Sequence, residues 1–174
     1  MIFGKKCCLR RPEIEDYARI WAWWNDEELQ YLSNLYWFPP GFEAVEECYN
    51  RSLSDVTKEY FIIHAFDKNT IGTIDLYNIR WRDRTTNIGI MIGEKDYWGK
   101  GYGADAIMSL MKFVFNELDL RRIELKVVEY NLRAIRCYEK CGFKKEGCLR
   151  KKVLWNGKYY DQYIMAILKE EFII

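Results

Sequence analysis

Three glycines on alternate positions, Gly99, Gly101 and Gly103, stand between a β-forming run that ends near Ile92 and a long amphipathic run. No other feature of the chain restricts its fold as much. Glycine lets the backbone bend sharply and brings N–H groups close to a neighbour or ligand. The run that follows, from Lys100 to about Glu117, carries Ala104, Ile107, Met108, Met111, Val114 and Phe115 at helical spacing. A strand that turns through glycines into a helix N-terminus suits an anion, phosphate above all. The free N–H groups and the helix dipole then favour the same negative charge. Lys100 would add a direct charge. A turn that needs only flexibility is the plainer reading of these residues.

Two other phosphate loops share such glycines. Gly101-x-Gly103-x-x-Ala106 fits the dinucleotide fingerprint of a nicotinamide-dependent oxidoreductase. It sits mid-chain after antiparallel strands, however, and Glu94-Lys95-Asp96-Tyr97 separate it from the strand. A Walker A loop is excluded, because Gly-Lys-Ser/Thr does not occur in the chain.

The remaining elements follow from periodicity. Cys7 to Arg11 reads as a strand, and Pro12 opens a helix carrying Ile14, Tyr17, Ala18, Trp21 and Trp24 on one face. Asn25-Asp26 breaks it and caps a short helix to about Leu32. After the Pro39-Pro40-Gly41 loop, Phe42 to Leu53 is a third helix. Tyr60–Phe66, Thr70–Asn78 and Thr85–Ile92 are consecutive antiparallel strands joined by short connections. Arg122–Val128 is a strand, and Leu132–Cys141 a helix capped by Asn131 and ended by Gly142. Phe143–Leu154 and Tyr159–Leu168 close as a hairpin over Asn156-Gly157. No repeat or linker interrupts this mixed α/β pattern, so residues 1–174 are expected to form a single domain.

Charge narrows the function classes. Lys+Arg is 27 and Asp+Glu 26, a net +1, without the basic excess of a nucleic-acid binder. No apolar run reaches the roughly 20 residues of a membrane span, and Met1–Lys6 lacks a signal-peptide core. A cytoplasmic protein is expected. The six cysteines form no C-x-x-C pair and read as buried thiols in a reducing compartment; no metal site is expected. Trp21, Trp23, Trp24, Trp37 and Phe38 suit a core, a pocket wall or a homodimer face.

A second segment carries chemistry. In Asn131-Leu132-Arg133-Ala134-Ile135-Arg136-Cys137-Tyr138, Asn131 and Tyr138 lie two helical turns apart on one face. Alone, that is a capped helix with a core tyrosine. Taken in order, the two segments resemble the GNAT superfamily of N-acetyltransferases. Its Q/R-x-x-G-x-G/A turn corresponds to Trp98-x-x-Gly101-x-Gly103. Its N-x-x-A-x-x-x-Y-x-x-x-G-F segment matches Asn131, Ala134, Tyr138, Gly142 and Phe143. Leu9-Arg10-Arg11-Pro12 with Asp16, then Trp24-Asn25-Asp26-Glu27, is similar to the subgroup of ribosomal-protein N-terminal and spermidine acetyltransferases.

The resemblance implies a central mixed sheet of about seven strands, flanked by about four helices and splayed between the fourth and fifth strands. It implies acetyl-CoA as co-substrate, lying in the splay between Thr85–Ile92 and Arg122–Val128. Backbone groups of Ile90, Met91 and Ile92 would hold the acetyl and pantetheine parts. The amides of Trp98, Gly99, Lys100, Gly101, Tyr102, Gly103 and Ala104 would hold the pyrophosphate. Asn131 and Ala134 would border the pantetheine, and Tyr138 would sit beside the sulfur as general acid. The acceptor would be a polyamine, another small amine or a peptide N-terminus. An amine of pKa roughly 10 is mostly ammonium at pH 7 and needs a base. Many relatives carry Ala-Glu where this chain has Thr86-Asn87, and Asn87 cannot serve as that base. Asp75, Glu27 and Glu28 are the remaining candidates beside the acceptor, with Asn87 as a neutral contact. Loss of the carboxylate leaves a non-catalytic acetyl-CoA-binding regulatory or sensor protein as the alternative.

Overall fold

The computed structural model describes residues 1–33 and 38–173, so Trp37 lies outside the described residues. Its centre is one mixed sheet, built first from the β-rich middle of the chain. Strands β3 (Glu59–Ala65), β4 (Thr70–Arg80) and β5 (Thr85–Ile92) form an antiparallel meander. Lys68 and Arg84, both at positive φ, turn the chain between them. On one side β3 pairs with β2 (Cys7–Arg10), which pairs with β1 (Ile2–Phe3). On the other side β5 pairs in parallel with β6 (Arg122–Val128). The hairpin of β7 (Lys144–Trp155) and β8 (Lys158–Leu168) closes the sheet, in the order β1-β2-β3-β4-β5-β6-β8-β7. Asn156 and Gly157, both at positive φ, make its turn, as that dipeptide predicts.

Helices cover both faces. α1 (Tyr17–Trp24), α2 (Glu27–Ser33) and α3 (Glu43–Ser54) lie on one, where Tyr17, Ile20, Trp23, Trp24, Leu29 and Val45 cluster with Ile62 and Met91. α4 (Tyr102–Asn116) and α5 (Leu132–Lys140) lie on the other. There Ile107, Leu110, Met111, Val114 and Tyr138 pack on Ile74, Ile88, Ile123 and Leu125. Alternation of side chains along β4 and β5 assigns each residue to one of these cores.

The expected architecture holds, with small corrections. The described residues form eight strands rather than about seven, and five α-helices rather than about four. The extra strand is the two-residue β1, too short to leave a periodic signal. Pro12 does not open an α-helix. A 3-10 turn at Ile14–Asp16 comes first, because Asp16 accepts from the Glu13 N–H (2.9 Å) and from Arg10 (2.7 and 2.8 Å). Cys7, Cys8 and Cys141 are buried and Cys137 partly so, but Cys48 and Cys148 are exposed; all six are free thiols. Among the described residues no helix is long and apolar enough to cross a membrane.

One tertiary link fixes α4 at its N-terminal end. Asp105, in its first turn, accepts from the backbone N–H groups of Lys5 (2.9 Å), Lys6 (2.8 Å) and Cys7 (3.2 Å). Burial works to raise the Asp105 pKa, but these bonds hold it below the ordinary carboxylate value. Stability from Asp105 is therefore complete above that value and is lost as pH falls through the depressed one. Asp105→Ala is expected to lower unfolding stability by about 2 kcal/mol near pH 7. Urea melts at pH 7 and pH 3 check this, the difference between variant and parent shrinking at the lower pH.

Candidate active site

The site begins where the parallel pairing stops. β5 and β6 are in register at Thr85–Arg122, Thr86–Ile123 and Asn87–Glu124, and pairing goes no further, although β5 continues to Ile92 and β6 to Val128. This is the expected splay. The direction of the freed groups follows from the neighbouring ladder. The Gly93 N–H donates to the Ile71 carbonyl (2.9 Å), one rung beyond the Gly72–Ile92 pair. Successive residues of a strand direct their main-chain groups to opposite neighbours. Met91 and Gly89 therefore address β4, Ile88 closes the last rung to Glu124, and Ile90 and Ile92 address the gap. At the start of β5 the Arg84 carbonyl accepts from Arg121 (2.7 Å), which fits the same parity. Of the three expected backbone contacts, Ile90 and Ile92 face the opening and Met91 is taken up by the sheet.

The glycine turn lies at the end of this gap. Gly99 and Gly101 have φ of +71° and +86°, and Gly101 caps α4. A Cβ on Gly99 would meet nothing within 4 Å, and one on Gly101 only the end of Lys6, at 3.8 Å. The turn is thus open to a ligand rather than packed, which a merely flexible loop would not require. Lys6 was not among the expected residues. Its ammonium donates to the Lys100 carbonyl (2.9 Å), beside Gly101, an arrangement that no local sequence signal reveals.

Trp98 stands where the family's motif has Gln or Arg. It does form a side-chain hydrogen bond: its indole N–H donates to the Ile92 carbonyl (2.7 Å), one of the groups facing the gap. Asn131 caps α5 as expected, its carbonyl accepting from the Ala134 N–H (3.1 Å). Its amide also donates to the Leu32 carbonyl of α2 (3.0 Å). α2 therefore reaches across the opening. Tyr31 stacks on Tyr130 (4.1 Å), and Tyr130 donates to the Tyr31 carbonyl (2.6 Å). At its other end Lys95 pairs with Asp26 and Glu28, each at 2.9 Å. Glu28 is thereby spent on an ion pair, and Glu27 is exposed.

Two titratable groups flank the splay. Tyr138 is 8% exposed and packs edge-on against Phe143. Burial raises its pKa, and Cys137, Tyr77, Cys141 and Asp75 raise it further, so the phenol stays protonated at neutral pH. Asp75 lies on the opposite, α3-covered face of the sheet, across from Gly89. A Cβ at Gly89 would stand 2.6 Å from the Asp75 carboxylate, so glycine is what lets that carboxylate lie over β5. Burial raises its pKa to about 7, against a weaker opposing pull from Lys58. Tyr77, next on that face, is raised to about 12 by burial, Asp75 and Glu124. Asn87 does not point into the gap as a free group, since it donates to Glu124 (3.3 Å).

Comparison with known proteins now decides the family. Residues 6–144 match the model of the acetyltransferase (GNAT) domain. The chain belongs to the GNAT acetyltransferases. It is 31% identical over 157 residues to the spermidine N(1)-acetyltransferase of Vibrio cholerae, covering 84% of this chain and 90% of that one. It is 29% identical over 174 residues to the uncharacterized N-acetyltransferase p20 of Bacillus licheniformis, covering 98% and 97%. The crystal structure of the V. cholerae spermidine N-acetyltransferase in complex with CoA and spermine superposes with a TM-score of 0.89 at 29% identity, over 97% of this chain and 98% of that chain. This GNAT protein is therefore an acetyl-CoA-dependent N-acetyltransferase. The open glycine turn and the unpaired Ile90 suit its co-substrate.

A raised carboxylate leaves a mark on titration. The Asp75 carboxyl carbon is expected to titrate in the folded protein with a midpoint of about 7, read by carbon-detected NMR and absent in Asp75→Asn. Because the folded state holds this proton more tightly than the unfolded chain, the Asp75 contribution to stability falls as pH rises from about 4 towards 7. Asp75→Asn should flatten that slope.

Proposed function

We propose that this N-acetyltransferase acetylates a primary amine of a small polyamine or a similar amine by direct attack, with Asp75 as general base and Tyr138 as general acid. The observation that carries the reading is the pair itself: a carboxyl raised to about 7 and a phenol held protonated, on opposite faces of one splay. A base is most effective when its pKa lies near the working pH. Asp75 meets that condition where Asn87 cannot. The activity of the V. cholerae relative on spermidine supports an amine acceptor.

Acetyl-CoA supplies the acetyl group as an activated thioester. The protein's residues do the rest. One strand N–H on the gap side, that of Ile90 or Ile92, donates to the acetyl carbonyl oxygen, where negative charge develops, and the other is left for the pantetheine arm, because the two lie about 7 Å apart along the strand. The Ile92 carbonyl is already filled by Trp98, so at Ile92 the N–H is the group left for either role. Amides of Gly101 to Ala104 hold the pyrophosphate at the α4 N-terminus. Asp75 takes the proton of the attacking ammonium, directly or through water. Tyr138 gives its phenolic proton to the departing sulfur.

Acetyl transfer to spermidine, spermine and short peptides with Ala or Ser N-termini, followed as thiol release, tests the acceptor class. Transfer to peptides but not polyamines would overturn it. Asp75→Asn is expected to lower kcat/KM about a hundredfold or more and to remove the limb of the pH profile near 7. Tyr138→Phe should lower kcat to a similar degree with little change in acetyl-CoA affinity. Unchanged turnover in either variant, with chemistry limiting the rate, would remove that residue from the mechanism.

A further inference from the structure

Across the mouth of the splay, one contact joins the element after β5 to the element after β6. The Arg133 guanidinium, in the first turn of α5, lies 3.5 Å from the centre of the Trp98 ring. The indole is not free to drift, because its N–H is fixed to the Ile92 carbonyl (2.7 Å). A guanidinium lying flat on an aromatic ring keeps its N–H groups at the rim, directed away from the ring. Arg133 thus has its plane set before any ligand arrives, beside the turn that bears Gly99, Gly101 and Gly103.

The charges around it differ in how they are used. Lys95, whose ammonium lies 5.9 Å from the same ring, is neutralised by Asp26 and Glu28. Arg133 feels the Glu28 charge, but among the described residues no hydrogen bond or ion pair occupies its guanidinium. Partial burial works against its charge. Five donors in a fixed plane, solvent-facing and without a protein acceptor among the described residues, make a receptor for a planar or tetrahedral oxyanion.

We infer that Arg133, levelled on Trp98, binds a phosphate group of the nucleotide half of acetyl-CoA. The inference rests on the acetyl-CoA reading of the splay and adds to it a residue outside the glycine turn. Trp98 is then a positioning residue: its ring sets the plane of the fork, and its N–H anchors the ring to β5. Lysine could replace the charge at position 133 but not the stacked fork.

Calorimetric titration of the parent protein, Arg133→Gln and Arg133→Lys with CoA and with 3′-dephospho-CoA tests this. Arg133→Gln is expected to bind CoA about ten- to a hundredfold more weakly, with a flatter dependence on salt. Arg133→Lys should fall between it and the parent. An equal loss for both ligands assigns the contact to the pyrophosphate, and a loss for CoA alone assigns it to the 3′-phosphate. Trp98→Leu should reproduce part of the loss, and adding it to Arg133→Gln should cost less than the sum of the two. Undiminished CoA affinity in Arg133→Gln, or weaker binding with unchanged salt dependence, overturns the inference while leaving the acetyl-CoA reading intact. A parent protein that binds neither ligand overturns both.

Discussion

The end of the parallel ladder at Asn87–Glu124 is the constraint on which the site depends. Two strands that stay paired leave no main-chain group for a ligand. Here β5 runs on for five residues and β6 for four with no rung between them. The unmade bonds are directed by parity: Ile90 and Ile92 face the gap while their neighbours remain in the sheet with β4. Unpaired backbone groups in a core would cost free energy. At the edge of an opening they serve instead as ready donors and acceptors.

The opening is held apart by packing on both faces. α5 and the turn after it place Tyr138 and Phe143 on the α4 side, within the larger core. On the other side α2 spans the mouth, tied to β5's continuation by Lys95 and to β6's continuation by Tyr31, Tyr130 and Asn131. Trp98 and Arg133 form a third tie close by. These ties give the protein a way to keep a gap of fixed width without the hydrogen bonds that would close it. Asp75 and Tyr138 owe their raised pKa values chiefly to burial, Tyr138 in the α4-side core and Asp75 over Gly89 on the opposite face.

Some of this was legible along the chain. The antiparallel meander, the capped helix at Asn131 and the hairpin at Asn156-Gly157 follow from period and turn chemistry, which act over a few residues. The two glycine- and tyrosine-bearing segments pointed to acetyl-CoA by resemblance, and the family comparison agrees. Other features had no local signal. β1 is too short to have a period. Asp105 reaches a segment about a hundred residues away. The bond from the Trp98 indole to Ile92 exists only because the turn folds back on its own strand.

The sequence by itself determined the elements, their order and the two chemistry-bearing segments, because helix period, strand alternation, glycine turns and caps are local properties of a chain. Only the tertiary structure decided which groups face the opening and which charges are spent. Asp75 became the raised carboxylate because Gly89, its partner across the ladder, has no side chain and because α3 covers that face. Glu28 was withdrawn by Lys95, and Arg133 was set on Trp98, by contacts between elements far apart in sequence. Burial and electrostatic partnership are sums over everything that surrounds a group, so no reading along the chain contains them.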